Sequence, residues 1–238
     1  MEIIGKTKNK YTFIAKINET LANALRRSVN RIPVITIDEL KISKNDSSLY
    51  DETVAHRIGL IPLKMEKSHK EGDTHKLKLK VKKAGMVYSG DIKGDVEIVY
   101  GTMPILLLHE GQEVDIEMTT KLGIGEDHAK FSPGLIFYRE LYEITLNKKF
   151  AEAIKRIFPH NKIKEKGDKI VILDDQVNSL ADYCEAICEK EGEKAELKET
   201  GDLVFVVESF GQLEAKEILE KAIDVLEKDF KEFLKHLK

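Results

Sequence analysis

A surplus of positive charge is missing from this chain: 39 Lys and Arg stand against 42 Asp and Glu, a formal net charge of −3 with histidine neutral. Proteins that live on the DNA phosphate backbone carry an excess of Lys and Arg, so a general DNA-coating role is excluded, although a local basic patch is not. Cysteine is scarce too. Cys184 and Cys188, four apart in a helix-like segment, make no disulfide framework. "MEIIGKTKNK" lacks the sustained apolar core of a secretory signal. The densest apolar run, "PILLLH" at 104–109, falls far short of the roughly 18–20 residues that span a bilayer. There is no tryptophan, no internal repeat and no low-complexity tract. Catalytic signatures are absent as well: no phosphate loop, no GxSxG elbow, no Asp-rich metal triad and no dinucleotide fingerprint, since "GIGEDH" at 123–128 supplies only a GxG. What remains is a soluble, cytoplasmic globular protein of 238 residues with no self-contained catalytic site, long enough for one large domain or two to three small ones.

The pattern along the chain predicts an α+β protein. "EIIGKTKNKYTFIAKI" reads as two short strands around a Lys-Asn turn. A helix follows, capped by Asn18 or Thr20, with Leu21, Leu25 and Val29 at i, i+4, i+8 joined by Ala24 and Ser28, and Pro33 closes it. "VITIDELKI" alternates as a strand. "DETVAHRIG" is a short helix with Asp51 and Glu52 in the first turn, where the helix dipole favours anions, and Gly59 placed for a left-handed C-terminal cap. From about 75 to 146 strands dominate: "KLKLKV", "VEIVY", "PILLLH", "EVDIEMTT" and "LYEITL". Beyond 150 come a helix at "NKKFAEAIKRIF", a strand at "DKIVIL", a helix at "VNSLADYCEAICEKEG" ended by Gly192, and strands at "KAELKE" and "DLVFVVESFG", the latter turning at Gly211. The C-terminal helix is the longest periodic element. Leu213, Ile218, Leu219, Ala222, Ile223, Leu226, Phe230, Phe233, Leu234 and Leu237 form one apolar face along a rod of roughly 36 Å. So long a face is an aggregation hazard unless something covers it.

Four features carry chemistry. Arg26, Arg27 and Arg31 lie within six positions of one amphipathic helix. That pattern fits a plain core-facing surface helix, a protein interface where arginine forks onto carboxylates, or phosphate contact. Lys76, Lys78, Lys80 and Lys82 share one face of a strand, which suits a solvated outer face or phosphate contact. The histidines (His56, His69, His75, His109, His128, His160 and His236) are scattered with no HxxxH pair, whereas a closed zinc site needs about four ligands brought together. Cys184 and Cys188 share a helix face, as a pair of buried small residues would, and two thiolates cannot hold a cubane that needs about four.

Read in order, "LANALRRSVNRIPV", "DETVAHRIGLIPL", "GEDHAKFSPG" and "VFVVESFGQLEAKEILEKAIDVLEKDF" resemble four blocks of the alpha-subunit-like family of DNA-directed RNA polymerases, in its archaeal branch. The resemblance implies a dimerisation domain from 1–45 and 203–238, interrupted by a β-rich insert domain at 46–150 and a ferredoxin-like α+β insert at 151–202. It implies a non-catalytic scaffold within a nucleotidyltransferase complex. The partners would be subunit L, through the first helix and the C-terminal helix, then subunits N, P and B, of which B is the second-largest of the enzyme. DNA would be touched only through the assembled enzyme, with no membrane contact. Interface residues carried over are Asn23, Leu25, Arg26, Arg27, His56, Arg57, Ile223, Leu226 and Phe230, with Arg26 and Arg27 facing the second-largest subunit. Many members of that branch hold an iron–sulfur cluster on C-x2-C-x2-C-x3-C. Here only Cys184 and Cys188 match, while the first two places fall on Asn178 and Ala181, so the insert is expected to persist as a fold without a cluster or other cofactor. The zinc-binding cysteines of the eukaryotic counterpart, near "KAGMVYSGD", are absent as well.

Overall fold

The computed structural model describes residues 1–66, 69–70, 72–159, 161, 163–175 and 180–237, and its fold is α+β. Two compact units emerge. The first comprises Met1–Asn23 with Ile136–Val206, the second Ala24–Leu135 with Val207–Lys238.

A six-stranded sheet forms the first unit, in the order β1 (Glu2–Lys6), β2 (Lys10–Ala15), β12 (Glu196–Ser209), β9 (Gly134–Asn147), β11 (Lys169–Leu173), β10 (Ile163–Lys166). β9 and β12 run beyond the unit at Ile136 and Val206. β2 is buried on both sides, and an aromatic series crosses the sheet: Tyr11 to Phe13 at 5.5 Å, Phe13 stacked on Phe205 at 5.0 Å, and Phe205 to Tyr138 at 5.6 Å between centroids. Ile14, Leu141 and Val204 pack together with Ile4 as a further cluster. Helices α3 (Ala151–Ile157) and α4 (Leu180–Lys190) lay Ile154, Leu180, Ala181, Cys184 and Cys188 against Ile144, Leu146, Ile170 and Ile172 of β9 and β11. Just past the end of α4 lies Gly192, whose φ of +70° favours a residue without Cβ, and Glu193 N–H closes back onto Cys188 O at 2.9 Å.

The second unit holds a four-stranded sheet in the order β3 (Val34–Asn45), β8 (Val114–Gly123), β4 (Lys76–Val81), β6 (Lys93–Gly94), and a pair β5 (Gly85–Tyr88)–β7 (Pro104–Leu108). Ile35, Ile37, Leu77, Leu79, Ile116 and Met118 face one core with Val54 and Ile58 of α2 (Asp51–Gly59). The alternation of "KLKLKV" thus does what its period requires. The second half of α1 (Glu19–Ser28), from Ala24 on, and all of α5 (Ala215–His236) belong to this unit.

Three expectations need correction. Gly59 is not a left-handed cap. α2 closes instead by a tightening turn, with Leu60 N–H on His56 O at 3.3 Å and Ile61 N–H on Ile58 O at 3.1 Å, before Pro62. "VEIVY" is no strand: it makes one isolated bridge, Ile98 to Leu63, because Val99 N–H and Glu97 O are satisfied by Pro62 and Lys64. "KAELKE" and "DLVFVVES" are one continuous strand, the chain passing through Gly201 at φ +80°. The short strands β5 and β10 carry no sequence signal strong enough to predict them.

Candidate protein-docking site

Asn18 opens α1, its Oδ1 accepting from Leu21 N–H at 2.8 Å. The helix buries Ala22 and Ser28, and the turn behind it Val29, rather than the whole predicted stripe: Leu21 is 42% exposed and Ala24 and Leu25 are half-buried. Asn23, Arg26 and Arg27 are exposed. Apolar and basic groups therefore share the outer surface of α1. Ser28 ends the α-helix, and a 3-10 turn, Val29–Arg31, leads to Pro33.

α5 divides into two halves. Ala215, Ile218, Leu219 and Ala222 are buried. From there the same apolar face runs into solvent, with Ile223 at 48%, Phe230 and Phe233 at 61%, Leu234 at 59% and Leu237 at 67% exposure; Leu226 is half-buried between the two halves. Ile223, Leu226 and Phe230 fall at i, i+3, i+7, on one side of the rod. At the change-over Arg31 forks onto Asp229, its Nη2 donating to Oδ1 at 2.9 Å and its Nη1 to Oδ2. Sequence reasoning missed this pair because its members lie 198 positions apart. It also separates Arg31 from Arg26 and Arg27, with which the sequence groups it.

On α2, Val54 and Ile58 face the core while His56 and Arg57 are exposed, and Arg57 donates from Nη1 to Ile105 O at 2.6 Å. The "HAKFSP" segment is a structural hub. Lys130 Nζ donates to Asp38 Oδ1 at 2.6 Å and Ile37 O at 3.2 Å, Ser132 Oγ donates to Asn30 Oδ1 at 3.0 Å, and Phe210 N–H and Gln212 Nε2 reach Pro133 O and Ser132 O at 2.9 and 3.2 Å. These bonds tie β3, the turn after α1 and the turn before α5 into one framework.

The lysine stripe is matched strand to strand. Lys78 pairs with Glu117 at 3.1 Å, Lys80 with Asp115 at 2.5 Å, and Lys82 and Lys44 with Glu113 at 2.9 and 2.7 Å. Hydrogen bonds from Lys44 and then Lys82 draw the Glu113 carboxyl down to about 2, and Lys80 lowers Asp115 in the same way. His69 and His75, scattered in sequence, meet ring to ring at 4.9 Å, and His69 Nδ1 accepts from Glu66 N–H at 3.2 Å. Among the described residues no group of three or more His, Cys, Asp or Glu is arranged to hold a metal.

Of the four cluster positions, Asn178 lies outside the described residues, as does His160. Ala181, Cys184 and Cys188 are core residues, 5%, 0% and 1% exposed. Burial pushes the Cys184 thiol up to about 12 and raises Cys188 as well, whereas a cluster ligand must be a thiolate. An alanine and two thiols set in an aliphatic core supply fewer than the about four thiolates such a group needs. Beside them is a buried ion pair. Arg139 forks onto Asp174, Nη1 to Oδ2 at 2.9 Å and Nη2 to Oδ1 at 3.0 Å, and Asp174 Oδ1 also accepts from Leu180 N–H at 3.0 Å, holding the start of α4. Burial raises the Asp174 carboxyl, opposed by the Leu180 N–H and by Arg139.

Residues 40–136 match the family model of the RNA polymerase Rpb3/RpoA insert domain. Across the whole chain the sequence is 32% identical to the DNA-directed RNA polymerase subunit Rpo3 of Pyrococcus horikoshii, an alignment covering 100% of this chain and 97% of the relative. It is 32% identical to that of Thermococcus kodakarensis, over 99% and 96%, and 30% identical to that of Archaeoglobus fulgidus, over 95% and 93%.

Proposed function

The chain belongs to the Rpo3 family of archaeal DNA-directed RNA polymerase subunits, a family also known by the letter D, and we propose that it is the assembly scaffold of its polymerase, pairing with subunit L and then docking the second-largest subunit. As a polymerase subunit it works within a nucleotidyltransferase complex in the cytoplasm while contributing no catalytic residue, cluster or metal of its own. DNA reaches it only through the assembled enzyme. The segments 1–45 and 203–238 act as the dimerisation domain, 46–150 as the β-rich insert and 151–202 as a ferredoxin-like insert without its cluster.

The observation that carries this reading is the outer half of α5. Five large apolar side chains between Ile223 and Leu237 stand 48–67% exposed on a helix whose inner half buries its apolar residues Ala215, Ile218, Leu219 and Ala222. An obligate partner covers that kind of surface, since obligate interfaces are larger and more hydrophobic than transient ones. Asn23, Leu25, Ile223, Leu226 and Phe230 go to subunit L. Arg26 and Arg27 go to the second-largest subunit, where a guanidinium fork recognises carboxylates, with His56 and Arg57 contributing to the same contact and subunits N and P completing the assembly.

Co-expression with an archaeal subunit L followed by light-scattering mass tests the pairing. A one-to-one heterodimer, with the chain alone self-associated, is expected; a monomer indifferent to subunit L overturns the reading. Arg26→Ala with Arg27→Ala tests the second step, since recovery of the second-largest subunit in a reconstitution should fall while the heterodimer survives.

A further inference from the structure

We propose that Arg31 is a positioning residue for the partner face of α5, acting through Asp229 rather than by touching the partner. The proposal rests on the docking reading of α5 and says how that surface is held ready.

Arg31 ends the 3-10 turn behind α1, and Asp229 sits on α5 where the helix leaves its own core. The last fully buried residue is Ala222; Val225, Leu226 and Asp229 are half-buried, and every described residue from Phe230 to Leu237 is exposed. Asp229 is therefore the last described α5 residue that is not exposed. The eight residues beyond it extend about 12 Å and carry Phe230, Phe233, Leu234 and Leu237. A tilt of about 10° at Asp229 would move the tip by about 2 Å, enough to lose the fit of an apolar interface. Two parallel N–H donors on one carboxylate resist that tilt and twist about the helix axis; a single ammonium would resist neither. Glu126 and Glu232 add negative charge around Arg31 and keep its guanidinium in place. Holding the projecting turns in their bound direction before the partner arrives removes part of the ordering cost of association.

This differs from a direct contact in a measurable way. If Arg31 acts only through Asp229, losing either residue has the same consequence, and losing both adds nothing. The test measures the affinity of the full chain for archaeal subunit L in four forms: unchanged, Arg31→Met, Asp229→Asn, and both together. Phe230→Asp serves as a separate control, and the thermal midpoint of each chain alone is recorded. Each single change is expected to weaken pairing about 2–5-fold, the double to match the singles, and the loss to shrink at high salt, with thermal midpoints unaltered. Additive losses would mean that Arg31 meets the partner directly and would overturn the proposal. So would unchanged affinity in both singles while Phe230→Asp abolishes pairing, an outcome that leaves the docking reading intact. If Phe230→Asp itself pairs normally, the docking reading fails and the positioning role goes with it.

Discussion

Helix α4 in one unit and helix α5 in the other are both amphipathic, yet they dispose of their apolar sides in opposite ways. α4 places Leu180, Ala181, Cys184 and Cys188 in a core shared with β9 and β11, and even its charged neighbour Asp174, 0% exposed, has a forked arginine partner. α5 packs two turns and then presents Ile223, Phe230, Phe233, Leu234 and Leu237 to solvent. The first unit closes its interior even around an ion pair, a costly group to bury. The second leaves out ordinary leucines and phenylalanines, which cost nothing to bury. Bare apolar surface in a chain that elsewhere finishes an interior is what the docking proposed for α5 requires.

Making the outer half of α5 polar should erase this contrast most completely. Phe230→Asp with Phe233→Asp should weaken pairing with subunit L by more than about 100-fold, since central aromatic anchors dominate interfaces. The unfolding midpoint of the chain alone should stay put, because neither ring is buried. A drop in that midpoint would show that α5 covers its own unit after all. The complementary change in the first unit is Asp174→Ala, which leaves Arg139 without its carboxylate beside a hydrophobic core. It should cost about 3 kcal/mol in urea unfolding, the low end for a broken buried pair, because the Arg139 side chain keeps 24% of its exposure. Cys184→Ala comes next, on the order of 1–2 kcal/mol for the cavity left by one sulfur. With the Cys184 thiol pushed up to about 12, a thiol reagent at pH 8 should label it only as fast as the unit opens. Prompt labelling would mean that α4 is not sealed.

How much of this was readable beforehand depends on whether a feature is local. α2 falls on "DETVAHRIG" residue for residue, and "KLKLKV" alternates as its period demands, because both signals sit within one or two turns of chain. The C-terminal helix was equally plain, and so was the excess length of its apolar face. Where α5 stops being buried was not, since Ala222 and Ile223 are both apolar and only the tertiary fold separates them. Gly59 misled because glycine often follows a helix in the left-handed region, but here it is the last residue of the helix itself and has no positive φ. Gly201 misled in the other direction, looking like a break while β12 passes through it. The two arginine forks were invisible for a simpler reason. Arg31–Asp229 and Arg139–Asp174 join residues 198 and 35 positions apart, and no periodicity carries information across such gaps.

Charges distinguish the two units more weakly than apolar faces do. Glu113 is held at about 2 by Lys44 and Lys82, below the ordinary 4.5. A carboxylate whose folded value is depressed contributes stability above its unfolded value, and that contribution is lost as pH falls from about 4.5 through about 2. Glu113→Gln should therefore flatten the acid limb of unfolding in this window and do little at pH 7. The difference should fade in 1 M salt, which screens surface pairs within a few ångströms. Asp174 has the opposite sign. Burial raises its folded value above the ordinary 3.8, so its own linkage favours the folded state below 3.8 and drops away as pH rises through the folded value. Acid should thus loosen the lysine–carboxylate ladder of the second unit while Asp174 works to hold the first. Hydrogen exchange at pH 3 can follow β4 and α4 separately, and earlier opening of α4 would mean that the ion pair, not the exposed ladder, is the acid-sensitive element of the molecule.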